Sequence, residues 1–320
     1  MNGRKKQQFS MDKLKSAIAM FQKPTFLIVM IFCLMAISGF DYAKHSIPLN
    51  QIHDGGPPKD GIPALYDPEF ILADEAKYLN PKDRVLGISL NGEARAYPIR
   101  ILNWHELVND RVGGENVLIS YCPLCGTGMV FEADIKGERY LFGVSGKLYN
   151  SDVLFYDKKT ESLWSQIKME AVTGSMTGLK LKLLPAEHTT WEAWRSKHPD
   201  TLVLSDKTGH FRDYSNNPYA GYGRSSEIYF PVNHQDNRLP GKEWIVGVVI
   251  NSQAKAYSFE SLKREEAGVK DTIGEEKITI HYDKKSESAV VKNNDGEIIP
   301  SVQAFWFAWR AFYPRTELYK

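Results

Sequence analysis

"VLGISLNGEARAYP" (residues 85–98) returns later in the chain as "IVGVVINSQAKAYS" (245–258), with Gly, Asn, both Ala and Tyr in the same places. Each copy reads as strand, Asn-centred turn, strand. Two more blocks repeat in the same order. "VLISYCPLCGTGMVFE" (117–132) falls over "ITIHYDKKSESAVVKN" (278–293), again strand, turn, strand. "WEAWRSKHPDTLVL" (191–204) falls over "WFAWRAFYPRTELY" (306–319), matched at both tryptophans, Arg, Pro and Thr. The offset is about 160 for the early blocks and about 115 for the last. The first copy therefore holds an extra segment, placed at 134–185, and the chain reads as an internal duplication.

Composition fits a β-rich chain. Aromatic residues make up 12% of it, and Gly, Pro and Asn punctuate short apolar runs. The expected fold is α+β and β-rich, built from duplicated strand-hairpin-helix units and preceded by one transmembrane helix. That helix is read from "PTFLIVMIFCLMAISGF" (24–40), an uncharged run at the short end of what spans a bilayer. Arg4, Lys5, Lys6, Lys13, Lys15 and Lys23 precede it against one acid, Asp12, a bias that holds the N-terminus in the cytoplasm. An inner-membrane anchor with an extracytoplasmic domain follows. The alternative is a signal peptide cut after the small residues Ala36 and Ser38, which releases the domain into the periplasm. The remaining boundaries are a basic segment 1–23, a Pro/Gly-rich lead-in 41–80, a first half 81–205, a connecting region 206–244 and a degenerate second half 245–320. Since the chain carries +1 and its first 23 residues +5, the exported part carries −4, and no basic stripe for nucleic acid is present.

The duplication separates what the fold needs from what one copy adds. Tyr97 matches Tyr257 and Trp194 matches Trp309, whereas Cys122 and Cys125 face Asp283 and Ser286, and His105 faces Glu265. Chemistry is therefore expected in the first copy. Cys-Pro-x-Cys-Gly between two strands looks like the knuckle of rubredoxins and zinc ribbons, with Gly where the chain turns tightly. A redox-active dithiol would instead sit at a helix N-terminus, and a structural disulfide is the third option. One knuckle gives two ligands. The third is expected from His105, on the helical stripe Ile101, Trp104, His105, Val108, with Glu106 or Asn103 behind it. The other reading of His105 is a core histidine satisfied by a backbone carbonyl. Two thiolates and an imidazole suit zinc or copper.

The extra segment reads as a hairpin across "YNSDVLFYDKKTESLWSQ", which places Asn150, Asp152, Trp164 and Gln166, with Trp104, at a pocket rim. Asp157 and Glu106 are the candidates for proton transfer, although Asp157 could equally start a turn and Trp164 belong to the core. No phosphate loop and no Gly-x-Ser-x-Gly elbow occur.

The set "GGPPKDGIPAL" (55–65), "ARAYPIRILNWHELVND" (94–110), "YCPLCGTGMVF" (121–131), "FGVSGKLYNSDVLFYDKKTESLWSQ" (142–166) and "HPDTLVLS" (198–205) resembles the prokaryotic family known as domain of unknown function 3179. The resemblance implies an exported or membrane-anchored domain and supplies no reaction. Three functions stand open: a metal-dependent enzyme or metal-handling protein, a thiol–disulfide oxidoreductase acting on exported proteins, and a non-catalytic ligand-binding module. The substrate, a small molecule or an exported protein, is not specified by the sequence.

Overall fold

The structure, a computed structural model, describes residues 39–319. Strands account for 41% of it and helices for 11%, and the larger sheets are arranged as a five-bladed β-propeller. This corrects the α+β expectation. The helical stripes are real but short: Ile99–His105, Trp191–Lys197 and Trp306–Phe312 have seven residues each, and Phe259–Leu262 has four. None forms a layer of its own. The apolar run 24–40 lies outside the described residues except for its last two. Among the described residues no helix is long and apolar enough to cross a membrane. The account below concerns the unit Asp41–Lys320.

Four of the five sheets come in equivalent pairs. In the first copy, Arg84–Leu90 pairs antiparallel with Glu93–Pro98 and, on its other side, with Glu187–Thr190. Leu202–Leu204 then runs parallel to Glu93–Pro98. In the second copy Trp244–Ile250, Gln253–Ser258, Val302–Phe305 and Glu317–Tyr319 make the same pairings. Each hairpin turns on an asparagine with positive φ, Asn91 at 49° and Asn251 at 48°, and each of those side chains donates to a glycine carbonyl of the next sheet. A three-stranded meander follows in each copy: Leu107–Val112, Glu115–Cys122 and Thr127–Glu132, then Val269–Ile273, Glu276–Asp283 and Ser288–Asn293. The extra segment builds the fifth sheet, from Phe142–Tyr149, Asp152–Asp157, Leu163–Ser165 and Glu170–Ala171, with Ile52–Asp54 at its edge.

The residues kept in both copies hold each helix on its sheet. Trp194 and Trp309 are fully buried, and each indole donates at 2.9 Å to a threonine hydroxyl, Thr201 or Thr316. The facing strand position is glycine in both copies, because a Cβ on Gly87 would overlap the Trp194 ring and one on Gly247 the Trp309 ring. Tyr97 and Tyr257 donate in the same way to Asp110 and Asp271, at 2.6 and 2.7 Å. Overfilling a packed core costs roughly 1–3 kcal/mol. Gly87→Ala and Gly247→Ala should each destabilise by about that amount in urea unfolding. A neutral result at either position would show that its indole is free to move.

Candidate functional site

Two tight turns from different sheets build the site. In the first, Cys122 pairs with Thr127, so Pro123, Leu124, Cys125 and Gly126 close the hairpin. Gly126 has φ of 64°, and a Cβ there would overlap Trp244, so both the backbone conformation and the packing require glycine. The second copy braces this turn: Phe305 N–H donates to the Cys125 carbonyl at 2.9 Å, and Thr127 Oγ1 donates to the Gln303 carbonyl. The second turn, Asn150–Ser151, joins Phe142–Tyr149 to Asp152–Asp157 with φ of 55° and 64°. Two-residue hairpin loops need positive φ at both positions, which asparagine tolerates and serine rarely adopts. The Asn150 side chain is held by Asn233 N–H at 2.8 Å.

Where the turns meet, Cys122 Sγ, Cys125 Sγ and an Asp152 carboxylate oxygen lie within 4.8 Å of one another, and all three residues are buried. Both cysteines are free thiols and point at the Ser151 carbonyl, Cys125 at 3.4 Å and Cys122 at 3.8 Å. Asp152 Oδ2 accepts from Ile167 N–H at 3.0 Å, and Oδ1 is buried with no hydrogen-bond partner. Glu106 joins the group from the end of the helix Ile99–His105. It is buried, with φ of 56° and its carbonyl held by Tyr121 N–H at 2.7 Å.

Four acidic groups thus share one apolar enclosure. Burial, with the Asp152 charge second, pushes the Glu106 carboxyl up to about 8, and burial pushes that of Asp152 up to about 7. Burial likewise raises both thiols, Cys125 furthest, with its neighbour Cys122 adding to the effect. Among the described residues, no lysine or arginine forms an ion pair with Asp152 or Glu106.

The other expected residues lie elsewhere. His105 is not part of the cysteine cluster: its Nδ1 donates to the Pro63 carbonyl at 2.7 Å, and its Nε2 accepts from the Tyr214 hydroxyl at 2.6 Å. The helix holds as far as His105, but Val108 belongs to the strand Leu107–Val112, and both ring nitrogens are spent on the lead-in and the connecting region. Trp104 is half-buried and donates to the Asn216 carbonyl at 3.1 Å. Asp157 accepts from Lys159 N–H, Thr160 N–H, Thr160 Oγ1 and Trp164 Nε1, bonds that tie its carboxylate to its own turn and to the adjoining strand. Trp164 is core, edge-on to Phe142. Gln166 braces the cysteine hairpin from behind, donating to Ser120 Oγ at 2.7 Å and to the Thr127 carbonyl at 3.3 Å. Sequence reasoning missed Ser151, and it missed Tyr219 and Tyr222 of the connecting region. Both phenols are raised first by burial, Tyr219 next by Glu106 and then Cys122, and Tyr222 next by Cys125 and Cys122, and the Tyr222 hydroxyl has no partner. No pattern in 206–244 marks either tyrosine.

The model of the family described as "protein of unknown function (DUF3179)" matches residues 59–297, about three quarters of the chain. The chain belongs to this family. Comparison with curated proteins and with solved structures found no match. Membership in DUF3179 assigns no reaction, so function rests on the geometry of the buried group.

The raised carboxyls fix a pH dependence for metal-free protein. Folded Asp152 and Glu106 keep protons that the unfolded chain gives up near its ordinary carboxyl range, about 4. Their stabilising contribution is complete below that range and is lost as pH rises through about 7 and about 8. Chelator-treated protein should therefore show a lower urea midpoint at high pH than at about pH 5, with a flatter slope in Asp152→Asn. An unchanged midpoint across that window would place these carboxyls in contact with water.

Proposed function

We propose that Cys122, Cys125 and Asp152 hold one divalent metal ion and that Glu106 works beside it as a proton carrier. The observation that carries this reading is a buried cluster of acidic side chains whose carboxyls form no ion pair among the described residues, and in which Asp152 Oδ1 has no partner. Buried charge requires compensation, and a divalent cation supplies it at the point where these groups converge. Two thiolates with a carboxylate suit Zn²⁺, whereas Cu(I) favours an all-soft set, so zinc is the better fit of the two expected metals. Three protein ligands leave a coordination position open, and a bound metal would supply Lewis acidity there. Glu106, held in an uncommon backbone conformation next to Asp152, is placed to take up or give a proton. In the expected extracytoplasmic setting, bound metal would also protect the thiols from oxidation.

The oxidoreductase reading is less well supported. Reactive dithiols expose a sulfur of lowered pKa at a helix N-terminus, while these two are buried in a hairpin turn with raised values.

Elemental analysis of purified full-length protein should find about one zinc per chain, for which three or four ligands suffice. Cys122→Ser, Cys125→Ser and Asp152→Asn should lose the metal, and His105→Gln should keep it. Wild-type protein that neither contains nor takes up zinc would end this reading. So would a metal site that survives Asp152→Asn and disappears in His105→Gln.

A further inference from the structure

A second cavity, of about 370 Å³, lies where equivalent positions of the two copies face each other. Extending the sequence repeat into its walls pairs Arg84 with Trp244, Tyr121 with Tyr282 and His188 with Gln303. The tyrosines are shared, and the other two pairs have diverged. The first copy supplies the basic groups and the second an indole and an amide.

Three donors in the cavity wall are incompletely used. The Arg84 guanidinium is mostly buried and donates only to two carbonyls, those of Ser286 and His188, while Glu287 acts on it through space. His188 is 6% exposed, and its Nδ1 has no hydrogen-bond partner. The Tyr282 hydroxyl is also buried without a partner. A native protein rarely leaves buried polar groups without a partner, and two in one cavity wall, beside a guanidinium bonded only to carbonyls, point to an absent ligand. Of the two lysines on the wall, Lys242 donates to the Tyr222 carbonyl at 2.6 Å, and Lys263 lies 3.6 Å from Glu260.

We propose that this cavity binds a small organic monocarboxylate with a flat apolar body. The fork of Arg84 matches the two oxygens of a carboxylate, with His188 and Tyr282 as further donors. Tyr121, Trp244 and Phe259 offer flat walls to the remainder, and the volume suits a small molecule. Glu243, Glu260 and Glu287 also line the cavity and disfavour a dianion such as phosphate. The proposal is independent of the metal reading, although Tyr121 directly precedes Cys122 and Trp244 covers Gly126.

The test is calorimetric titration of the full-length protein with benzoate, benzamide and inorganic phosphate. Benzoate should bind below about 10 mM, with benzamide weaker by roughly tenfold or more and phosphate undetected. Tyr282→Phe removes only an unpartnered hydroxyl, so it should leave thermal stability unchanged or raised while weakening benzoate about fivefold. Arg84→Lys should weaken it by about tenfold or more. Equal affinity for benzoate and benzamide, tighter binding of phosphate, no binding up to about 10 mM, or an unaffected Tyr282→Phe would each overturn the proposal.

Discussion

Two turns pressed against each other, Pro123–Gly126 and Asn150–Ser151, set the chemistry of the interior. Their contact brings two sulfurs and a carboxyl together and buries all three away from water. Backbone conformations that L-residues seldom adopt recur around this point, at Glu106 and Ser151 as well as at Gly126. At Glu106 and Ser151, which are not glycine, such conformations cost about 1–3 kcal/mol each and persist only where the surroundings hold them. Here the surroundings include the second copy, whose Trp244, Gln303 and Phe305 bear on the cysteine turn. A duplicated half without the cysteines thus supports the half that has them.

What was legible in the sequence was local. Asn91 and Asn251 marked the hairpin turns, the tryptophans shared by both copies marked residues the fold needs, and Cys-Pro-x-Cys-Gly marked a tight turn between strands. Each signal is written within a few residues of where it acts. The sheet-dominated architecture was less legible, because an apolar stripe of one or two helical turns looks the same whether the helix continues or stops at seven residues. The site was legible only in part. Asp152 was recognised as polar and near a pocket, but its place beside Cys122 depends on two hairpins that meet across 30 positions of sequence. The direction of the His105 ring is set by Pro63 and Tyr214, one far upstream and one far downstream. No helical periodicity encodes that choice.

The comparison between copies discriminates better than residue type does. Asp157, Trp164 and Gln166 are polar or aromatic residues without a counterpart in the second copy, yet each has its hydrogen-bonding or packing role inside the fold. Pairs that occupy the same place and differ in chemistry are more telling: Cys125 with Ser286, His188 with Gln303, Arg84 with Trp244. Where the two halves have diverged at one shared position, packing alone did not dictate the residue.

The brace from Phe305 to the cysteine turn carries a consequence for folding. That amide lies 180 positions beyond Cys125, so the Cys122–Cys125 loop stays uncapped until the strand Val302–Phe305 has been made and has docked. Until then both thiols are open to solvent and to oxidants. The enclosure closes when that strand arrives, and the chemical state of the two sulfurs at that moment is the one sealed inside.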